Sequence, residues 1–152
     1  MIQAGDYVNR LPTPIHVSGT WRWTPGRTQK HVRDQLASVC DSLAQQSGLS
    51  FEFAMEATRE PFETPEDHPV VQALSEAAEI VSGRKPARIG MGLVGDGNLI
   101  ANLASVPCVY YGPAHETAHS DHERVSMLQL AHCARVYAVA AVRFCGTRPA
   151  VK

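Results

Sequence analysis

Net charge, cysteine pairs and long apolar runs are all scarce in this sequence. The formal charge is −1 over 152 residues, with both signs scattered. Nothing in this pattern argues for a nucleic-acid or membrane-surface partner, and neither is expected. The four cysteines, Cys40, Cys108, Cys133 and Cys145, form no C-x-x-C pair and lie in apolar surroundings. Buried, reduced thiols and a cytoplasmic setting follow as expectations. No apolar run reaches the roughly 18 residues of a membrane helix. The N-terminus lacks the charged start and apolar middle of a signal peptide. There is no internal repeat and no low-complexity segment. What is present is enough to bury a core: 44% of residues are apolar and 19% charged. One domain, or two small ones, fits this length.

The hydrophobic spacing changes character along the chain. In "PIHVSGTWRWTPG", Ile15, Val17, Trp21 and Trp23 share one parity and polar residues take the other. This predicts a strand with one buried side, ended by Pro25-Gly26. Val32, Leu36, Val39 and Leu43 then recur at helical spacing, with Gly48 just past the end. "LSFEFAMEATRE" alternates again, so residues 15–60 read as strand, helix, strand, with the Trp and Phe faces packed on the helix. Three prolines in "PFETPEDHP" mark a linker over residues 61–69. Beyond it come a helix stopped by Gly83, a small-residue strand "ARIGMGLV", and a short helix after "GDG" with Asp96 as its cap. "VPCVYY" reads as a strand buried on both faces, followed by Gly112-Pro113. A long last helix starts with the capping box Ser126-Gln129. Helix, strand, helix, strand, helix predicts parallel α/β structure.

Between the last strand and the last helix lie three histidines and three acids in nine residues, His115 to Glu123. "HETAH" matches H-E-x-x-H, in which helical spacing places two imidazoles on one zinc and a Glu beside them as general base. The surrounding sequence argues against that zinc-protease reading. Gly112-Pro113 puts His115 on a strand-exit loop, and the helix signals come later. Position 122 is His122 and position 125 is Val125, so the extended motif with Gly and a third His is absent. No Asp or Glu follows Glu123 to serve as a downstream ligand.

A buried strand, then Gly-Pro, then Ala-His-Ser, an acid and "ERVS" opening a long helix resembles the C-terminal end of the dinuclear-zinc amidohydrolases. That family includes acetylornithine deacetylase, succinyl-diaminopimelate desuccinylase, aminoacylase and related carboxypeptidases. "IQAGDYVNRLP", "GTWRWTPG", "PFETPEDHPVVQAL", "VSGRKPARIG" and "GDGNLIA" resemble its further segments in the same order. The Gly before Asp96 departs from the Ser or Thr commoner there.

The resemblance implies an α/β architecture in two pieces. Residues 1–62 would be part of an α+β lid that also forms homodimers. Residues 66–152 would be the C-terminal part of a zinc-exopeptidase-like catalytic domain. The implied activity is hydrolysis of the amide bond of an N-acyl amino acid or small peptide. Two zinc ions, or cobalt, would activate the water, and a Glu-Glu pair would supply the base. The chain contains no Glu-Glu pair, and its one His-x-Asp is His119-Ser120-Asp121. By the resemblance the remaining ligands and the base lie upstream of Met1, through a truncated gene or on a separate N-terminal half. The isolated chain is then expected to be inactive. A non-catalytic dimerising or small-molecule-binding α/β remnant is the alternative from another class.

By the same resemblance His119 aligns with the C-terminal metal ligand, and a neutral imidazole on a rigid loop is a good zinc donor. Arg22 aligns with the lid arginine that binds the substrate carboxylate through its two-pronged guanidinium. Asn9 aligns with a lid asparagine that hydrogen-bonds the substrate. Gly112 would let the backbone approach the substrate closely. The plain readings stand beside these: a solvated loop histidine, an exposed strand arginine, a turn asparagine. His115 and His122 read as solvated. Glu123 favours the positive end of the following helix or contacts His119. Asp96 reads as a cap rather than a catalyst, and Trp21 and Trp23 as lid core.

Overall fold

A computed structural model describes residues 1–11, 14–57, 59–113 and 116–146. Six elements follow one another: β1 (Ile2–Ala4), β2 (Ile15–Val17), α1 (Gln29–Ser47), α2 (Pro69–Ser82), α3 (Asp96–Ala104) and α4 (Met127–Cys145). β1 and β2 pair antiparallel, Gln3 opposite His16, and the terminal ammonium donates to the Ser18 carbonyl at 2.9 Å. All six strand residues are exposed.

The helices start and stop where local chemistry allows. Thr28 Oγ1 accepts the His31 N–H at the start of α1, satisfying one orphan donor. Gly48 and Gly83 close α1 and α2 with φ of +69° and +71°, the left-handed cap that glycine adopts without a Cβ penalty. His68 caps α2 through Nδ1, which accepts the Val70 N–H at 3.2 Å, and Pro69 occupies the first turn, where no N–H is needed.

The main core lies between α2 and α4. Ala77, Ala78 and Val136 are buried there, with Leu74, Val81, Tyr111, Val139 and Ala140 packed around them. Alanines on the α2 seam let the two helix axes come close. Val32 of α1 is buried separately. Among the described residues no helix or strand packs against α1, nor against the β1–β2 hairpin.

Several expectations are overturned. The strand expected over residues 15–24 is three residues long, and it pairs with β1 at the start of the stretch "IQAGDYVNRLP". Residues 49–56, 87–94 and 106–111 form no strand, so among the described residues the parallel α/β sheet is replaced by one antiparallel pair. The reason is the backbone. Alternation or apolarity marks which side chains want burial, but a strand exists only where a neighbour takes its N–H and C=O groups. No two of these segments are hydrogen-bonded to one another. Their side chains accordingly stay open: Phe51, Phe53, Ile89 and Val109 are exposed, as is Trp21, while Trp23 is half-buried. Of the cysteines only Cys133 is buried, and Cys145 is exposed; all four are unpaired. Gly95, not Asp96, is the cap of α3. Ser126 is the cap of α4, but its side chain accepts no capping hydrogen bond. No helix among the described residues is long and apolar enough to cross a membrane.

Candidate functional site

The segment from Glu116 to Ser126 is a closed loop in front of α4. Thr117 Oγ1 donates to the Arg124 carbonyl at 3.0 Å and accepts the Arg124 N–H at 3.1 Å, so one hydroxyl ties both ends. Two turns are nested inside, Thr117 to Ser120 and Ser120 to Glu123. Ser120 Oγ donates to the Thr117 carbonyl at 2.7 Å. His119 sits between these turns with φ +62°, and Glu123 Oε2 accepts its N–H at 3.2 Å. The Glu123 carboxylate thus holds the His119 backbone rather than the first turn of α4. The left-handed region is costly for most residues, and His is among the few enriched there. The imidazole is exposed, and its nitrogens make no hydrogen bond among the described residues.

The same dihedral excludes the H-E-x-x-H helix. Residues 116–119 form a turn, and a helical residue needs φ near −63°. His115, expected to be solvated, lies outside the described residues. His122 is exposed, as expected.

The loop is tied to α4 at its base. The Tyr137 hydroxyl donates to the carbonyl of Tyr111, the residue before Gly112. The Tyr111 hydroxyl and His132 Nε2 are 2.7 Å apart. Burial pushes both tyrosine pKa values up, the nearby Cys133 adds to each, and Tyr137 adds further to that of Tyr111. Both phenols therefore stay neutral across the physiological range. Among the described residues a Cβ placed on Gly112 would meet nothing within 4 Å.

Asn9 and Arg22 lie elsewhere. Asn9 is exposed in a turn between β1 and β2, and Arg22 is exposed in the extended segment before Pro25-Gly26. Neither side chain makes a hydrogen bond or ion pair among the described residues. No hydrogen bond joins Asn9, Arg22, Gly112 and His119 to each other. Asp96, at the first position of α3, faces Arg59 at 3.5 Å. Among the described residues no group of three His, Cys, Asp or Glu can hold a metal ion. The donor set therefore does not fit the expected zinc pair by itself.

The sequence reading passed over Asn98, the one buried polar residue among the described residues, and Asn102. Both amides point at the Glu60 carbonyl, each at 2.9 Å. Two asparagines four apart in a short helix, preceded by Gly95 and Gly97, were the available signal.

A sequence model described as peptidase family M20/M25/M40 matches residues 6–143. The chain belongs to this family. Among curated relatives of this M20 chain, the succinyl-diaminopimelate desuccinylase of Thiobacillus denitrificans is 28% identical over 146 residues, 95% of this chain and 36% of the relative. That of Nitrosomonas eutropha is 26% identical over 129 residues, 85% of this chain and 32% of the relative. The acetylornithine deacetylase of Myxococcus xanthus is 27% identical over 150 residues, 97% of this chain and 38% of the relative. The chain thus spans about a third of the length of the curated relatives it matches. No solved structure matches it at comparable significance.

Proposed function

We propose that this chain is part of a metal-dependent hydrolase that cleaves the amide bond of an N-acyl amino acid or small peptide. The observation that carries this reading is the family match over residues 6–143, with relatives named for removing succinyl and acetyl groups. The loop supports it: His119 presents, at a tied turn, an imidazole whose nitrogens make no hydrogen bond among the described residues, and the exposed Gly112 would let substrate approach its backbone. Arg22, exposed and unpaired among the described residues, would hold the substrate carboxylate through two parallel N–H donors, and the Asn9 amide would add a hydrogen bond. His119 would give one donor to zinc or cobalt, and a catalytic site uses three or more. The reading therefore requires further donors and a general base beyond those that the described residues bring together, on the same polypeptide or on a partner chain. The exposed apolar hairpin supports a homodimer contact within residues 1–62, and the four unpaired cysteines support a cytoplasmic setting.

The lack of three converging donors among the described residues favours a second reading, a non-catalytic remnant. One experiment separates the two. Residues 1–152 alone should bind less than one zinc per chain and hydrolyse neither N-succinyl-diaminopimelate nor N-acetylornithine. Grafting residues 6–143 in place of the matching segment of the Thiobacillus desuccinylase should restore zinc binding and turnover. His119→Ala in that graft should then weaken zinc by more than the roughly 10–100-fold that an outer-shell partner is worth. A folded graft with neither metal nor turnover supports the remnant. Undiminished zinc without His119 removes its ligand role.

A further inference from the structure

Residues 1–57 and 61–146 share no packed pair of elements: β1 pairs with β2, α2 packs on α4, and α1 meets no other helix or strand. Something other than element packing must set how the part carrying Arg22 is placed relative to the part carrying His119. We propose that Glu60, gripped by Asn98 and Asn102 of α3 and docked onto the first amide of α1, is the positioning junction that sets this placement.

The grip on the α3 side is specific. A carbonyl oxygen has two lone pairs, and both of those on Glu60 are taken, by Asn98 Nδ2 and Asn102 Nδ2 at 2.9 Å each. Asn98 is held in orientation by its other end. Its Oδ1 accepts the Gly95 N–H at 3.0 Å and the Tyr110 hydroxyl at 3.3 Å, which turns the amide nitrogen toward Glu60. Tyr110 reaches that position because it lies across two glycines. A Cβ on Gly95 or Gly97 would come within 2.7 or 2.8 Å of its hydroxyl. Helix capping alone would account for the Asn98 oxygen. It does not account for two amide nitrogens converging on a carbonyl 38 and 42 residues away in sequence.

The other side of the junction is the Glu60 carboxylate. Its Oε1 accepts the N–H of Gln29 at 3.3 Å. Gln29 opens α1, so this N–H has no partner inside the helix, and the positive helix end favours the negative group. Among the described residues this is the only hydrogen bond or ion pair joining residues 1–57 to residues 59–146. The Arg59–Asp96 pair at 3.5 Å is exposed on the Asp96 side and adds little. Glu60 therefore joins the two parts through one residue: its backbone belongs to α3, its side chain to α1. The consequence for Arg22 and His119 rests on the proposed hydrolase reading. The orientation of α1 does not, and the test reads orientation alone.

Residual dipolar couplings on the 152-residue chain, kept below the concentration at which sedimentation shows self-association, measure it. In the unaltered protein, α1 and the α2–α4 pair should fit a single alignment tensor. Asn98→Asp keeps size and the accepting oxygens but removes the donor to Glu60. It should give α1 a separate tensor and raise amide exchange at Gln29 about tenfold, with α2 and α4 unchanged. Glu60→Ala should do the same, and Glu60→Gln, whose amide oxygen still accepts, should restore the original values. If Asn98→Asp unravels α3, the Glu60 pair decides, because α3 keeps its carbonyl partner in both variants. Two tensors in the unaltered chain would overturn the proposal. So would Asn98→Asp or Glu60→Ala leaving the single tensor and the Gln29 exchange intact.

Discussion

His119 shows how much one residue's backbone can decide. Its φ of +62° is a property of the loop, imposed by the Thr117–Arg124 closure and the two nested turns. If the dihedral dominates, His119→Gly should leave stability unchanged or raise it by up to about 1 kcal/mol. His119→Val, β-branched and poorly suited to φ > 0, should cost about 1–2 kcal/mol. Urea unfolding of both variants checks this, and an equal loss in the two would mean that the imidazole's own contacts hold the loop. The sequence made the loop legible, since Gly112-Pro113 and Ser126 bracket it. The sign of φ was not legible, because it depends on a hydroxyl bridging residues seven apart. Asn98 was missed for a similar reason: its role lies in a carbonyl 38 residues away.

Among the elements, the α2–α4 pair holds most of the core and should carry most of the stability. Val136 is fully buried, and Val136→Ala removes two methyl-sized groups and leaves a cavity, costing about 2 kcal/mol. Ala77→Leu should cost about 1–3 kcal/mol by overpacking the seam. Val39→Ala on the exposed side of α1 should stay within roughly ±0.5 kcal/mol. Thermal unfolding of the three variants gives the ranking, and equal effects at Val136 and Val39 would contradict the placement of the core. All four helices were readable in the sequence, α1 from its 3.6-residue period and the others from their start and stop residues, with Gly48 and Gly83 read as stops from cap chemistry. The pairing of α2 with α4 was not, because periodicity names the apolar face of a helix and not what covers it.

For the whole molecule, the extended segments set the behaviour. Residues 49–57, 87–94 and 106–111 carry exposed Leu49, Phe51, Ile89, Leu93 and Val106. An apolar cleft of about 320 Å³ lies open between α2, α4 and residues 109–111. Soluble monomers seldom expose contiguous apolar patches beyond roughly 300–600 Å². Unpaired backbone along such segments also templates pairing with other chains. Residues 1–152 alone should self-associate as concentration rises through the micromolar range, seen as growing sedimentation coefficients, and should bind a hydrophobic dye. A dye-silent monomer at every concentration would contradict this. The sequence by itself determined the helices, the glycine stops of α1 and α2, the loop that carries His119 and the family of the chain, because each is written in adjacent residues or in motif order. Only the tertiary structure decided which apolar faces meet, which alternating segments stay unpaired, and that Glu60 ties α1 to α3. A strand needs a second backbone about 4.8 Å away, and a carbonyl needs a donor aimed at it, and no local pattern carries either requirement.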